Sequence, residues 1–257
     1  MWMRWLRLVL GFLVIVLVAL PMFPLMTLVL PSRVLRIRIG NVYGKIVGWT
    51  VARIAGARPQ FSNKAALKPD PPAIYISNHT STLDIFIGMW LCPMGGCGIA
   101  KREITRVPVF GALYWLSGHL LIDRTNRESA IAALAGTAAV VRKHGLSIFM
   151  WPEGTRSPDG RLQAFKKGVA HLAIATGLPI KPVVVHGAHH IWPARSTELI
   201  PGPLRIDVLP LIDTTGWSLD TLDAHVALVH DTMARALGEA HTPTNPSGSA
   251  AGQSAAQ

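Results

Sequence analysis

Ala73-Ile74-Tyr75-Ile76-Ser77-Asn78-His79-Thr80-Ser81-Thr82-Leu83-Asp84 passes from an apolar run through a polar turn toward a second apolar stretch. On one continuous helix, five residues turn through about 500°, which leaves His79 and Asp84 about 140° apart and pointing in different directions. They meet only if a strand ends near Ser77, the chain turns through His79 to Ser81, and a helix opens near Thr82. Asp84 then falls in the first helical turn, where the helix dipole favours a carboxylate and the side chain can reach back to the imidazole. The segment therefore predicts a strand, a turn and a helix, with the pair at the carboxyl end of a strand. That is the ligand-binding edge of an open α/β sheet. A neutral imidazole held by a carboxylate is the simplest general base near pH 7. The pattern is weak by itself, because 10 histidines make a chance HxxxxD match close to an even bet at ordinary Asp frequency.

Downstream the pattern alternates. Short apolar runs at Ala73 to Ser77, His119 to Ile122, Leu146 to Trp151, Ile180 to His186 and Leu204 to Leu209 read as strands. Helical segments stand between them at Leu83 to Leu91, Glu128 to His144, Gly168 to Thr176 and Leu219 to Leu237, with Gly145 closing the second and Ser218 opening the last. Such alternation predicts an α/β layered domain with a largely parallel sheet flanked by helices, here over residues 61–240. Residues 241–257, rich in Pro, Ser, Gly, Ala and Gln without an apolar period, predict a disordered tail.

Composition adds a membrane. Half of the 257 residues are hydrophobic, only 15% are charged, and the net charge is +11, which is too apolar for an ordinary soluble domain and points to an anionic partner. Nucleic acid is the least favoured such partner, because no finger, homeodomain or RNP pattern is present and the basic residues are scattered. From Leu8 to Leu30 there is no charge, with Arg4 and Arg7 before the stretch and Arg33, Arg36 and Arg38 after it. The run is long enough to cross a bilayer, but Pro21 and Pro24 sit inside it, and a break there would leave Leu8 to Leu20 too short to span. A signal peptide shares the charged start, yet no small-residue cleavage site follows. From Ser32 to Gly56, Leu35, Ile39, Val42, Tyr43, Ile46, Val47, Val51 and Ile54 recur at helical spacing with Arg and Lys between them. This predicts a basic amphipathic helix lying in an anionic membrane surface. Residues 1–60 are thus expected to form a membrane-anchoring helix pair. The larger basic cluster after the first helix favours a body on the cytoplasmic side.

A second cluster suits an anion. Phe149-Met150-Trp151-Pro152-Glu153-Gly154-Thr155-Arg156-Ser157 again leads from a strand into a Gly-containing turn, here with a fixed cation. Backbone N–H groups of such a turn and the Arg156 guanidinium fit a phosphate. Lys101, Arg124, Lys166 and Lys167 add basic groups beside strand ends or helix starts.

These four blocks, Asn78 to Asp84, Gly118 to Arg124, Phe149 to Ser157 and Leu178-Pro179-Ile180-Lys181-Pro182-Val183, resemble the ordered blocks of the glycerolipid acyltransferases. Within that family the likeness is to bacterial members acting on 1-acyl-sn-glycerol-3-phosphate, and it covers about residues 70 to 215. Lys181 departs from the pattern, standing where an apolar or small residue is more usual. The resemblance implies transfer of a fatty acyl group from acyl-CoA or acyl carrier protein to the sn-2 hydroxyl of lysophosphatidic acid, giving phosphatidic acid, without metal or bound cofactor. It implies His79 as base and Asp84 as its orienting partner. Lys101, Arg124 and Arg156 would hold the acceptor phosphate with Gly154 and Thr155, and Glu153 would orient the loop or a glycerol hydroxyl. Another lysophospholipid or glycerol 3-phosphate is the alternative acceptor, and a non-catalytic membrane lipid-binding protein is the alternative class, which the intact His79 and Asp84 argue against.

Other residues carry less. Cys92 and Cys97 lack the second pair a metal site needs and read as free thiols. No serine lies in GxSxG. His186, His189 and His190 cluster near a strand end and read as structural or surface groups.

Overall fold

The computed structural model describes residues 2–63, 72–122 and 127–238, with the side chains of 101, 122 and 127–133 outside that description. Its centre is a sheet of seven strands, β1 (Ala57–Phe61), β2 (Ile74–Ser77), β3 (Gly96–Lys101), β4 (Leu120–Ile122), β5 (Ser147–Met150), β6 (Ile180–His186) and β7 (Gly202–Val208), in the order β1-β7-β6-β2-β5-β3-β4. Every pairing is parallel except β6 with β7. The helices are α1 (Trp2–Leu28), α2 (Arg33–Ala55), α3 (Leu83–Leu91), α4 (Phe110–Leu116), α5 (Arg127–His144), α6 (Gly168–Thr176), α7 (Ala188–Ile191) and α8 (Leu222–Leu237), and a 3-10 turn spans Arg102–Arg106. The expected α/β architecture with a largely parallel sheet is therefore present.

The central strands are apolar on both faces because helices cover both. All four residues of β2 are buried, as are the first six of β6. Ile74, Ile76, Ile148, Ile180 and Val184 pack on one side against Val169 and Leu172 of α6 and Val229 and Met233 of α8. On the other side Tyr75, Phe149, Val183 and Val185 meet Leu83, Ile87 and Leu91 of α3.

The strand and helix segments read from the sequence match β2, β4, β5, β6, β7, α3, α5, α6 and α8 to within a few residues. Two strands were not read. β1, Ala57-Arg58-Pro59-Gln60-Phe61, holds a proline and alternates irregularly, which an edge strand tolerates. β3, Gly96-Cys97-Gly98-Ile99-Ala100-Lys101, holds two glycines of poor strand propensity. A Cβ on Gly98 would lie 3.1 Å from the Tyr114 hydroxyl, so close packing against α4 is what the glycine allows. Residues 241–257 lie outside the described set.

The N-terminal pair differs in detail from expectation. α1 continues unbroken through Pro21 and Pro24, and 27 residues at 1.5 Å each reach about 40 Å. It is the one helix among the described residues long and apolar enough to cross a membrane. α2 does not present its whole apolar stripe outward. Tyr43, Val47 and Val51 are buried against Ala19, Met22 and Met26 of α1, whereas Leu35, Val42, Ile46 and Trp49 are exposed. A third face, Gly40, Gly44 and Gly48, turns to the body, and a Cβ on Gly48 would stand 2.2 Å from the Phe86 carbonyl oxygen of α3. The reading missed this face because it followed large apolar residues, and here absence of a side chain is what allows backbone to approach backbone.

Gly48→Val should therefore lower stability by at least about 1–3 kcal/mol, the usual range for overpacking. Thermal unfolding in detergent, with Ile46→Val as a surface control that leaves the midpoint unchanged, reads this out. An unshifted midpoint for Gly48→Val contradicts the packing described.

Candidate active site

β2 delivers the chain to Asn78, whose side chain extends the sheet: its Nδ2 donates to the Val185 carbonyl at 2.9 Å and its Oδ1 accepts the Val185 N–H at 2.8 Å. The chain then turns. Asp84, 2% exposed in the first turn of α3, accepts the backbone N–H groups of Thr80 at 2.6 Å and Ser81 at 2.7 Å on Oδ2, and the same oxygen lies 3.1 Å from His79 Nδ1. The predicted reach back from helix to turn is thus realised. An ionised carboxylate only accepts, so Nδ1 carries the ring proton and Nε2 keeps its lone pair. Ser81 closes the helix start by accepting the Leu83 N–H at 2.9 Å and donating to the Trp192 carbonyl.

β2 and β5 are parallel neighbours, with Ile76 opposite Met150, so the turns that follow them meet. Glu153 ties them together. It is 1% exposed, and its Oε1 accepts the His79 N–H at 2.6 Å while Oε2 accepts the Gln163 N–H at 3.1 Å. Ser157 N–H donates to the His79 carbonyl at 2.7 Å, and Arg156 Nη1 donates to Thr82 Oγ1 at 3.0 Å. Gly154 has φ +76°, the left-handed region that a side chain would strain.

A cavity of about 450 Å³ opens beside these turns, within the size range of ligand sites. His79, Gly154, Thr155 and Arg156 supply polar lining, and α2, α3, α4 and the 3-10 turn supply apolar walls that include Tyr43, Ile85, Met89, Ile104, Phe110 and Leu113. Of the residues singled out in the sequence, the structure brings together His79, Asp84, Glu153, Gly154, Thr155 and Arg156. Glu153 strings the two loops together and is not among the residues lining the cavity. Lys101 ends β3, with only its backbone described, and Arg124 lies outside the described residues.

The sequence did not single out His119, which also lines the cavity. Its Nδ1 accepts the Gly98 N–H at 3.2 Å, and burial together with the Arg33 cation pushes its pKa down from 6.5 to about 4. Burial raises the Cys92 and Cys97 thiols to about 12, which makes them inert at neutral pH. His186 pairs with Asp207 at 2.8 Å beside Arg205, and His189 Nδ1 meets the Thr80 carbonyl at 3.1 Å. No group of three or more His, Cys, Asp or Glu suited to a metal occurs among the described residues.

A family model described as acyltransferase matches residues 58–186. The chain is 42% identical over 219 residues to the 1-acyl-sn-glycerol-3-phosphate acyltransferase of Limnanthes douglasii, covering 85% of this chain and 77% of that protein. It is 32% identical over 200 residues to the protein of the same name from Escherichia coli K12, covering 78% and 79%. The crystal structure of the 1-acyl-sn-glycerophosphate acyltransferase of Thermotoga maritima superposes with a TM-score of 0.69 at 22% identity, over 93% of this chain and 99% of that one, and shares the fold.

His119 makes stability depend on pH. Its folded value is depressed, so between about 6.5 and 4 the unfolded chain takes up a proton that the folded chain refuses. Stability should fall as pH drops through that window, by at most about 3 kcal/mol from this group. His119→Asn, which keeps an acceptor for Gly98, should flatten the fall in thermal midpoint between pH 7 and 4.5. Identical slopes for both proteins would refute a buried neutral His119.

Proposed function

The chain belongs to the acyltransferase family, and on that premise we propose that it transfers a fatty acyl group from an acyl thioester to the sn-2 hydroxyl of 1-acyl-sn-glycerol-3-phosphate. The product is phosphatidic acid and the donor is acyl-CoA or an acyl-loaded carrier protein. One observation carries the reading: a carboxylate-held imidazole and a guanidinium stand on adjoining turns beside a largely apolar cavity of about 450 Å³.

In this mechanism His79 Nε2 takes the proton of the acceptor hydroxyl as its oxygen attacks the thioester carbonyl. The C–S bond then breaks, and the thiolate leaves with the proton held on the imidazolium. Asp84 keeps Nδ1 protonated and steadies the cation, as carboxylates do beside such bases. Arg156 receives the acceptor phosphate together with Thr155, beside Gly154, whose own N–H closes the turn onto the Trp151 carbonyl at 3.1 Å, and Lys101 and Arg124 belong to the same basic set. The apolar cavity takes the donor's chain. No step calls for a metal.

The outer face of α1, with Leu13, Leu17, Leu20 and Leu28 exposed, and the outward residues Val42, Ile46 and Trp115 form the membrane contact on this reading. Arg38, exposed on α2, then faces anionic headgroups of the inner membrane with the site on the cytoplasmic side, whereas Arg33 and Arg36 turn inward onto the Gly118 and Leu116 carbonyls.

Acyl transfer to lysophosphatidic acid, measured on the full chain in detergent micelles, tests the reading. His79→Ala should lower kcat by about 10²- to 10⁴-fold, the range for a lost general base. Equal turnover by wild type and His79→Ala sinks the proposed base. Arg156→Ala should mainly raise the acceptor KM, by about 10- to 100-fold for a lost charge-assisted pair. A better rate with a neutral-headgroup lysophospholipid or with glycerol 3-phosphate would move the acceptor assignment.

A further inference from the structure

Trp151 stands where β5 gives way to the turn that carries Glu153, Gly154 and Arg156. Its indole is stacked on the His79 imidazole, with centroids 4.7 Å apart and planes inclined by 21°. Phe149 meets the other side of the arrangement edge-on, at 5.5 Å and 75°. The slot for the indole is cut into α3. A Cβ on Gly88 would lie 2.6 Å from Trp151 Cζ2 and 2.9 Å from Phe149 Cε1, so only glycine fits there. Gly88 is four residues beyond Asp84, one turn along the same helix face. α3 therefore grips the imidazole twice, through a carboxylate on its Nδ1 edge and through a vacancy that seats the ring covering its face.

The indole N–H counts against a packing role. Trp151 Nε1 is buried and has no hydrogen-bond partner among the described residues, a state that destabilises the fold and that a phenylalanine in the same slot would avoid. What tryptophan offers in return is the largest negative ring face of any side chain, and that face is turned to the group that becomes cationic during the reaction.

We propose that Trp151 is a positioning residue for His79: its indole face holds the imidazole in the plane that keeps Nδ1 on Asp84, and stabilises the imidazolium formed when Nε2 takes the acceptor's proton. The inference rests on the proposed acyl transfer for its kinetic consequence, and on geometry alone for the stack. Trp151 also lines the cavity, so a wall that merely shapes the donor's chain is the competing role. The two part company in kinetics. A wall acts through donor binding and chain length, whereas a support for the base acts on kcat whatever the chain.

The experiment uses the full chain in detergent micelles with lysophosphatidic acid and a short-chain and a long-chain acyl-CoA. Trp151→Leu should lower kcat roughly 2- to 30-fold, the rate equivalent of a lost cation–π contact, by the same factor for both donors and with KM values unmoved. Trp151→Phe, which keeps a ring on the imidazole, should restore most of the rate. Gly88→Ala should mimic Trp151→Leu by displacing the indole, and Gly88→Ala combined with Trp151→Phe should recover. A wild-type kcat for Trp151→Leu, or a loss that differs between the two donors, overturns the proposal in favour of a cavity wall. A second arm needs no turnover. His79 ring-proton resonances, assigned by their disappearance in His79→Ala, should lie upfield from the indole ring current in wild type and Trp151→Phe, and move downfield in Trp151→Leu. Resonances that stay in place overturn the stack even in an active enzyme. A wild type inert toward lysophosphatidic acid but showing the upfield shift would sink the functional reading while upholding the positioning of His79.

Discussion

One oxygen organises the site. Oδ2 of Asp84 is buried, takes the N–H groups of Thr80 and Ser81, and lies against His79 Nδ1. A carboxylate removed from water must find donors, and the nearest are those of the turn that precedes its own helix. The turn therefore wraps around Asp84, and this closure fixes the direction in which α3 leaves the sheet. The same closure sets the imidazole edge, so the geometry of the proposed base follows from a requirement of burial. Glu153 repeats the device from the next strand, holding the His79 N–H and the Gln163 N–H with its two oxygens. Two buried acids, Glu153 through both oxygens and Asp84 through Oδ2 alone, take backbone N–H groups and lock the ends of β2 and β5 into one edge.

The cavity depends on a different constraint. Its walls come from α2, α3 and α4, and glycines at 44 and 48 let the backbones of α2 and α3 approach while Gly40 leaves room for Ser117 and His119. Tyr43, Val47 and Val51 on the adjoining face anchor α1 through Ala19, Met22 and Met26. Met26 of α1 and Tyr43 of α2 accordingly line the cavity, so the N-terminal helices help to form it. On the proposed function, polar turns on the sheet edge and apolar walls on α2, α3 and α4 divide one amphiphilic substrate between two parts of the fold.

The sequence disclosed what local chemistry decides. The five-residue spacing of His79 and Asp84 excluded a single helix and so revealed the turn, and the alternation of apolar runs revealed the buried sheet. It concealed what only packing decides. β3 was hidden by Gly98, needed for the approach of Tyr114, and by Gly96, packed on Cys92 and Pro93, and the glycine face of α2 carries no apolar signal at all. His119 looked like the start of a strand, since nothing local announces its burial beside Arg33. Lys181, noted as a departure from the family pattern, proves to be buried in β6 in register with Tyr75 and is not among the residues lining the cavity.

On the proposed chemistry, the competitor for the acyl group is water, present at far higher concentration than any lipid acceptor. Preference for the lipid must then come from what Nε2 can reach. His79 is only 12% exposed, flanked by Trp151 and bordered by apolar walls. An acceptor anchored by its phosphate on Arg156 and by its chain in lipid brings its hydroxyl to the base with little remaining freedom, which is where most of the gain from orientation arises. On this reading the membrane face, the apolar walls and the guanidinium act on one problem, delivering a single hydroxyl to the base.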